Sequence, residues 1–408
     1  MAFNVSAEAV RDFQLTRVPP AFLDDPYPWY AALREHDPVH RMEGGVFLSR
    51  HEDALAVYRD PRASSDKKAE FGPKLGGAGN APLYEHHTTS LVFNDPPLHT
   101  RVRRILLGAV NQKAIARMEP NVARLVDTLL DEMAAKGGVN FIDEFAAQIP
   151  IEVIGNLLDI PHAGRAPLRG WSVAILSGLE PKLTPQMLEA GNRAVTEFIA
   201  CLKELVAARR KAPGDYDADV LTRLIQGEKD GEKLTERELY HQCIFLLNAG
   251  HETTTNLIGN GLWALLGNPA ELARLRADPA LVPTAVEEML RYDGPIQLNN
   301  RRLTAPLTLS GKALPAGTLV TIGIGAANRD PAQFADPERF DVGRKPNRHV
   351  AFGQGEHVCV GMNVARMEGR IAFTRLLQRF ARIELNGEPE RDRRIRFRGF
   401  RKLPVRVR

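Results

Sequence analysis

The segment from Thr235 to Gly267 has a sharply marked start and stop, and any fold for this chain must be wide enough to hold it. Thr235-Glu236-Arg237-Glu238 is a capping box, in which the Thr hydroxyl and the Glu carboxylate each satisfy a backbone N–H at a helix start. Leu234 and Leu239 flank it as a hydrophobic staple, and Gly267-Asn268-Pro269 ends the apolar run. At about 1.5 Å per residue the helix spans roughly 50 Å, enough to cross a whole domain. Its middle, Ala249-Gly250-His251-Glu252-Thr253-Thr254, holds the residues least suited to a helix interior. Gly250 costs about 1 kcal/mol relative to alanine. The Thr253 hydroxyl can turn back to the carbonyl of Ala249 and bend the helix. Alone, this segment reads equally well as a capped local kink.

The rest of the chain reads as one domain, 1–408, without repeats, low-complexity linkers or abrupt shifts of composition. That length exceeds the roughly 250–300 residues at which single cores stop growing, and a large internal cofactor is one way to hold such a domain together. The pattern predicts a helix from Pro28 to Arg34, a strand pair around Val39 and Val46-Phe47-Leu48, and a helix from His51 to Tyr58. Residues 60–95 are rich in glycine, proline and charge, with Gly72, Gly76, Gly77 and Gly79, and predict a long flexible loop of the kind that serves function. From Pro96 to Gly267 the periodicity is helical, broken at Gly137-Gly138, Pro161 and Pro213-Gly214. Beyond Pro295, Leu307-Thr308-Leu309 and Leu319-Val320-Thr321-Ile322 read as strands, Met362 to Phe380 as a helix, and Ile395 to Val407 as strand-like alternation.

A formal charge of +4, dispersed along the chain, argues against a nucleic-acid partner. Cys201, Cys243 and Cys359 give no disulfide framework, which points to a reducing compartment. The N-terminus shows no basic-then-apolar signal pattern, and no apolar run approaches the about 18 residues that cross a bilayer. A cytoplasmic monomer without membrane contact is expected.

Cys359 lies in Phe352-Gly353-Gln354-Gly355-Glu356-His357-Val358-Cys359-Val360-Gly361. An isolated cysteine is usually a small buried hydrophobe. Here glycines allow close backbone approach to a planar ligand, and Gly361 leads into a helix whose N-terminus favours a thiolate. A thiolate in such a loop suits iron as an electron-donating axial ligand. This run resembles the haem-binding loop of the cytochrome P-450 family. The resemblance covers most of the chain, from about Asp24 onward, and includes Ala326-Ala327-Asn328-Arg329-Asp330-Pro331. It implies a mainly α fold with a minor β region, a single domain enclosing haem b.

The resemblance also implies roles for particular residues. Residues 345–361 become the haem-thiolate loop with Cys359 as iron ligand and Phe352, Gly353 and Gly361 around it, and 60–95 becomes a substrate-access loop. Ala249 and Gly250 form an oxygen groove, Glu252 supplies protons, and Thr253 steadies dioxygen and the waters beside it. Glu288 and Arg291 form the family's structural E-x-x-R pair, with Arg339 as the third charge. His99, Arg103, Arg301 and His349 are the expected partners of the haem propionates, while Arg101 and Arg104 are expected at the surface. The function implied is a monooxygenase inserting one atom of O2 into a small, largely apolar substrate by hydroxylation or dealkylation. Electrons then come from an acidic [2Fe-2S] ferredoxin and its NAD(P)H-dependent reductase, docking at Arg101, Arg104, Arg344, Lys345, Arg348 and Arg366. A peroxide-driven peroxygenase and a non-catalytic haem carrier or sensor are the competing readings, and the Glu252–Thr253 pair argues against both.

The substrate pocket is expected to be apolar, lined by parts of 85–93, Phe245 and the tip Gly399-Phe400. Asn248, Gln297 and Asn299 are polar where relatives carry apolar residues. Buried amides must find partners. Either they bond to each other, to backbone or to water, or they hold a carbonyl, hydroxyl or ether of the substrate. A carboxylate is the less expected group, because no Arg or Lys stands among these pocket residues.

Overall fold

The computed structural model describes residues 5–76, 81–216, 219–227 and 231–408. The central helix runs Glu236–Gly267, a rod of about 48 Å. Both halves of its capping box form: the Thr235 hydroxyl accepts from the Glu238 amide at 3.2 Å, and the Glu238 carboxylate accepts from the Thr235 amide at 2.8 Å. Leu239 is buried and Leu234 packs beside the same core, as a staple requires. Around the rod pack Gln148–Leu157, Leu168–Ser177, Pro185–Lys211, Val282–Tyr292 and Met362–Arg379. One large apolar cluster joins these helices, which explains why so long a helix is buried on nearly every side.

The β region is smaller. A five-stranded sheet has the order Val39–Met42, Gly45–Leu48, Leu319–Gly323, Leu298–Leu303, Ala63–Ser64. Only Gly45–Leu48 and Leu319–Gly323 are parallel, with Val46 beside Val320. A Cβ on Gly45 would stand 2.1 Å from the Leu319 carbonyl oxygen, so this pairing needs glycine. A second sheet joins Gly138–Asn140, Pro404–Val407 and Ile383–Leu385. The mainly α fold with a minor β region is therefore as expected.

Residues 60–95 differ from the expected loop. They include the strand Ala63–Ser64, the helices Lys68–Lys74 and Pro82–Thr89, and the turn Leu91–Phe93. Residues 77–80, with Gly77 and Gly79, lie outside the described residues. Composition misled here because Phe71, Leu75, Leu83 and Leu91 are all buried in the main core, and this tertiary burial stabilises short helices of poor intrinsic propensity.

Glu288 and Arg291 are fully buried and form two parallel bonds of 2.7 and 2.8 Å. Arg291 also donates to the carbonyls of Asn328, Pro337 and Arg339. The expected third charge is corrected: Arg339 contributes its main-chain carbonyl, while its exposed side chain reaches Glu271 at 4.0 Å. Arg344 instead approaches Glu288 at 3.1 Å and bonds the carbonyls of Ala335, Asp336 and Arg339. Its head group is thus withdrawn from the expected docking face. Arg344→Ala should lower stability by about 1–3 kcal/mol, since a buried carboxylate loses a charged donor. Arg339→Ala should stay within about 0.5 kcal/mol. Urea unfolding of the two variants checks this, and equal losses would refute the assignment.

Candidate active site

The cysteine loop is shaped by two left-handed glycines, Gly353 at φ +67° and Gly355 at φ +71°. A Cβ on Gly355 would lie 2.3 Å from the Tyr58 carbonyl oxygen, so that glycine lets the loop close against the main chain at the end of helix His51–Arg59. The Cys359 amide donates to the Phe352 carbonyl at 2.9 Å. Gly361 caps Met362–Arg379, and its amide points to the sulfur. Burial pushes the Cys359 thiol up, while that amide and the cations Arg103 and Arg366 pull against the shift. Cys243 has no such help and is pushed up to about 12 by burial. Cys359 is the cysteine placed to ionise once a cation meets it.

On the central helix, Ala249 is exposed and Phe245, Gly250 and Thr253 are half-buried, although the turns on either side are buried. A bare apolar strip in the middle of a core helix suits a flat, largely apolar ligand. The Thr253 hydroxyl donates to the Ala249 carbonyl at 2.5 Å, the back-bond expected from the sequence. Gly250 faces Ile154, which a Cβ would approach to 2.7 Å, so its smallness serves helix packing. Glu252 is buried and ion-paired to Arg394, and its second oxygen has no hydrogen-bond partner among the described residues. Burial raises this carboxyl to about 7 against the pull of Arg394. Glu368, from the helix after Cys359, accepts from the Thr254 hydroxyl at 3.3 Å. Burial lifts it to about 8.

A cationic cluster stands beside the cysteine loop. The His99 ring lies 3.9 Å from the His357 ring, centroid to centroid, and Arg103, Arg301 and Lys67 act on His357 at close range. Burial, aided by these cations, lowers His357 to about 3. His99 Nε2 and Lys67 Nζ are buried without hydrogen-bond partners among the described residues. The nearby carboxylate, Asp95, is already held by Ser64 and Ser65 at 2.5 and 2.8 Å. So many cations around orphaned donors fit a ligand bearing two carboxylates, as haem b does. His349 is not among them. It pairs with Glu287 at 3.1 Å, where Arg366 also binds at 2.7 Å. Burial opposes ionisation of Glu287, but these two partners hold its carboxyl down at about 2. Sequence reading missed His357, whose signal was its place two residues before Cys359 in the same loop.

Comparison with known proteins agrees with this geometry. The sequence profile of the family "Cytochrome P450" matches residues 175–406. Cytochrome P450 107B1 of Saccharopolyspora erythraea is 40% identical, with 95% of this chain and 96% of that protein covered. The chain belongs to the cytochrome P450 family. Cytochrome P450 monooxygenase PikC of Streptomyces venezuelae is 37% identical, covering 95% of this chain and 92% of its own length. The crystal structure of P450BioI in complex with a hexadec-9Z-enoic acid-ligated acyl carrier protein superposes with a TM-score of 0.88 at 32% identity, covering 95% of this chain and 100% of that one. As a cytochrome P450 monooxygenase, the protein binds haem b through a cysteine thiolate and uses O2, an organic substrate and redox partners. Among the described residues no helix is long and apolar enough to cross a membrane.

The pocket candidates of this P450 are dispersed. Asn248 bonds His86 at 3.3 Å. Gln297 donates to the Gly294 carbonyl at 2.8 Å and lies against Gly325, whose Cβ would stand 2.0 Å from its oxygen and 3.0 Å from the Tyr30 ring. The expected alternation with Arg301 does not extend to Gln297, because the strand begins at Leu298. Asn299 does stay on the Arg301 side, accepting from it at 3.2 Å and donating to the Tyr58 hydroxyl at 3.5 Å. Phe400 is buried beside Trp263 and under Arg391, ten residues along the central helix from Thr253. The absence of basic residues from the pocket region is corrected as well. Lys67, Lys74 and Arg396 line the same cavity as Asn299.

Glu368 sets a pH signature. Its folded value of about 8 lies above an unfolded value of about 4.3. The stability it contributes is complete below about pH 4 and is lost as pH rises to about 8. Glu368→Gln should therefore flatten the decline of stability between about pH 5 and 8 by up to about 1.4 kcal/mol per pH unit. Denaturant unfolding across that range checks it, and an unchanged slope would show that the carboxyl is already ionised at neutral pH.

Proposed function

We propose that Cys359 supplies the haem thiolate and that the protein hydroxylates or dealkylates a small, largely apolar substrate on the Ala249–Thr253 face. The observation that carries this is the pairing of a cysteine flanked by Arg103, Arg366 and the Gly361 amide with a bare strip on the core helix. Haem, when bound, supplies the activation of dioxygen. The chain's own residues bind and orient it and move protons. His99, Arg103, Arg301 and His357 hold its carboxylates, Phe352 and Gly353 line the loop, and Gly361 steadies the sulfur. Glu252, held at about 7, can release and regain a proton near neutral pH. Thr253 presents its hydroxyl one residue further along the same helix, with its proton directed at the Ala249 carbonyl. A peroxygenase or a haem carrier has no use for this acid–hydroxyl pair, which favours the monooxygenase.

An acidic ferredoxin with an NAD(P)H-dependent reductase remains the proposed electron source. The docking face is narrower than the sequence suggested. Arg101 is paired with Glu238, Arg104 lies 3.9 Å from Glu232, and Arg366 shares Glu287. Lys345 and Arg348 stay exposed in the segment leading to the cysteine loop.

Cys359→Ala should abolish the strongly red-shifted Soret band of the reduced, carbon-monoxide-bound protein, while Cys201→Ala and Cys243→Ala retain it. A retained band in Cys359→Ala refutes the assignment. Thr253→Ala should bind substrate about as well as the parent but form less product per NAD(P)H, with the missing electrons recovered as peroxide. An unchanged yield would favour the peroxygenase or carrier. Reversing the charge of both Lys345 and Arg348 should raise the ferredoxin concentration for half-maximal rate at low salt and leave substrate affinity unaltered. The same change from charge reversal on a distant face would show that the patch is elsewhere.

A further inference from the structure

Three carboxylates from distant parts of the chain meet one guanidinium beside the central helix. Arg394 Nη1 is ion-paired to Glu252 and lies 3.5 Å from Asp392 Oδ2, while its Nε donates to Glu180 at 3.2 Å. The guanidinium lies over the Phe397 ring, 4.5 Å from its centre, which helps to hold it in place. Glu180 is the best compensated of the three. Its second oxygen accepts from the Ile395 and Arg396 amides at 3.0 and 3.1 Å, and Lys74 and Arg396 attract it through space. The surplus negative charge therefore falls on Glu252 and Asp392, which share one nitrogen. A buried site relieves such a surplus by taking up a proton. Both carboxyls are raised, first by burial and then by the carboxylates around them, Glu252 to about 7. Arg401, which also acts on Asp392, is held by Glu390. The two acids differ in access to water: the Glu252 side chain is 6% exposed and that of Asp392 36%. Between Asp392 and Arg394 the chain turns at Arg393, whose φ of +53° is uncommon for a residue with a side chain. Arg393 thereby turns outward to Asp24 while its two neighbours stay with Glu252.

We propose that Asp392 is the solvent-side acid that reloads Glu252 with protons, with Arg394 and Glu180 as positioning residues. Asp392 takes a proton from bulk water and passes it, through a water between the two carboxylates, to Glu252. That transfer leaves Asp392 ionised and Glu252 neutral, and Asp392 then regains a proton from bulk. The second Glu252 oxygen, without a hydrogen-bond partner among the described residues, can carry the proton. Arginine does not give up its own proton, so Arg394 serves to hold both carboxylates on one nitrogen. Glu180 is no entrance, because it is buried and its second oxygen is taken by two amides. The proposal rests on the reading of Glu252 as proton donor and adds where its protons come from.

The test follows the carboxylic-acid infrared bands of the haem-loaded, carbon-monoxide-bound protein. Glu252→Gln and Glu368→Gln assign the bands of these two raised acids, that of Glu252 titrating at about pH 7. Light-triggered proton release from a photoacid then times the growth of the Glu252 band. Asp392→Asn should slow that growth about tenfold or more, compared at equal distance from each variant's midpoint, and Asp392→Glu should restore it. Asp392→Ser supplies an independent variant. A merely structural Asp392 would lower the Glu252 midpoint without slowing the band, since only a negative neighbour is lost. An unchanged rate therefore overturns the proposal. So does a Glu180→Gln protein slowed as much as Asp392→Asn, which would move the entrance to Glu180, and so does the absence of any band that Glu252→Gln removes. The carbon-monoxide Soret band of the same samples reports on the thiolate separately. A band without the thiolate shift refutes the monooxygenase, whereas the infrared rates still decide the relay.

Discussion

The buried pair of Glu288 and Arg291 is the contact through which the helical and irregular halves of this P450 are joined. Taking both charges out of water costs several kcal/mol per ion, and two parallel bonds alone do not offset it. The surroundings complete the compensation. Arg291 fills its remaining donors with carbonyls from Asn328, Pro337 and Arg339. Glu288 accepts from the Asp341 amide, Arg344 and Asn347. Every one of these partners lies on the path from the five-stranded sheet to the cysteine loop. That stretch has little regular structure of its own, so its course is set by the ion pair it satisfies. The pair needs the loop as much as the loop needs the pair.

Burial then sets protonation at the site, with opposite results for different groups. Glu252 and Glu368 are pushed up to about 7 and about 8, so acids become available near neutral pH. Lys67 and His357 are pushed down to about 7 and about 3, which leaves basic side chains short of an anion. Cys359 lies between these regimes, with burial opposed by the Gly361 amide, Arg103 and Arg366. A low-dielectric interior penalises every unpaired charge. These frustrated groups therefore mark where ligands complete the structure. The elements carrying them pack around the central helix and the five-stranded sheet, whose rigidity keeps the frustrated groups from relaxing toward water.

Much of this was legible in the sequence where a local rule is strict. The capping box at Thr235 and the stop at Gly267 marked the central helix to within a residue. The spacing of Glu288 and Arg291 sufficed to place them on one face. The Thr253 back-bond follows from helix geometry and a hydroxyl at the right offset. The loop around Cys359 was readable because left-handed turns demand glycine, and its N-terminal helical position follows from Gly361. Family and chemistry rest on such local signals.

Which distant residues meet was not legible. Arg344 replaces Arg339 at Glu288, His357 replaces His349 beside His99, and Gln297 turns to Gly325 rather than toward Arg301. Within 60–95, Lys68–Lys74 and Pro82–Thr89 are helices because the core covers their apolar faces. Arg396 lies more than 300 residues beyond Lys67 and Lys74, and the three gave no motif, yet they share one cavity. The sequence by itself determined the central helix, the cysteine loop and the family, since each depends on neighbours within a few turns. The tertiary structure alone decided the ion pairs between residues distant in the chain and the pocket lining. Charge acts through space, so its partner is set by where the packed elements bring each side chain to rest.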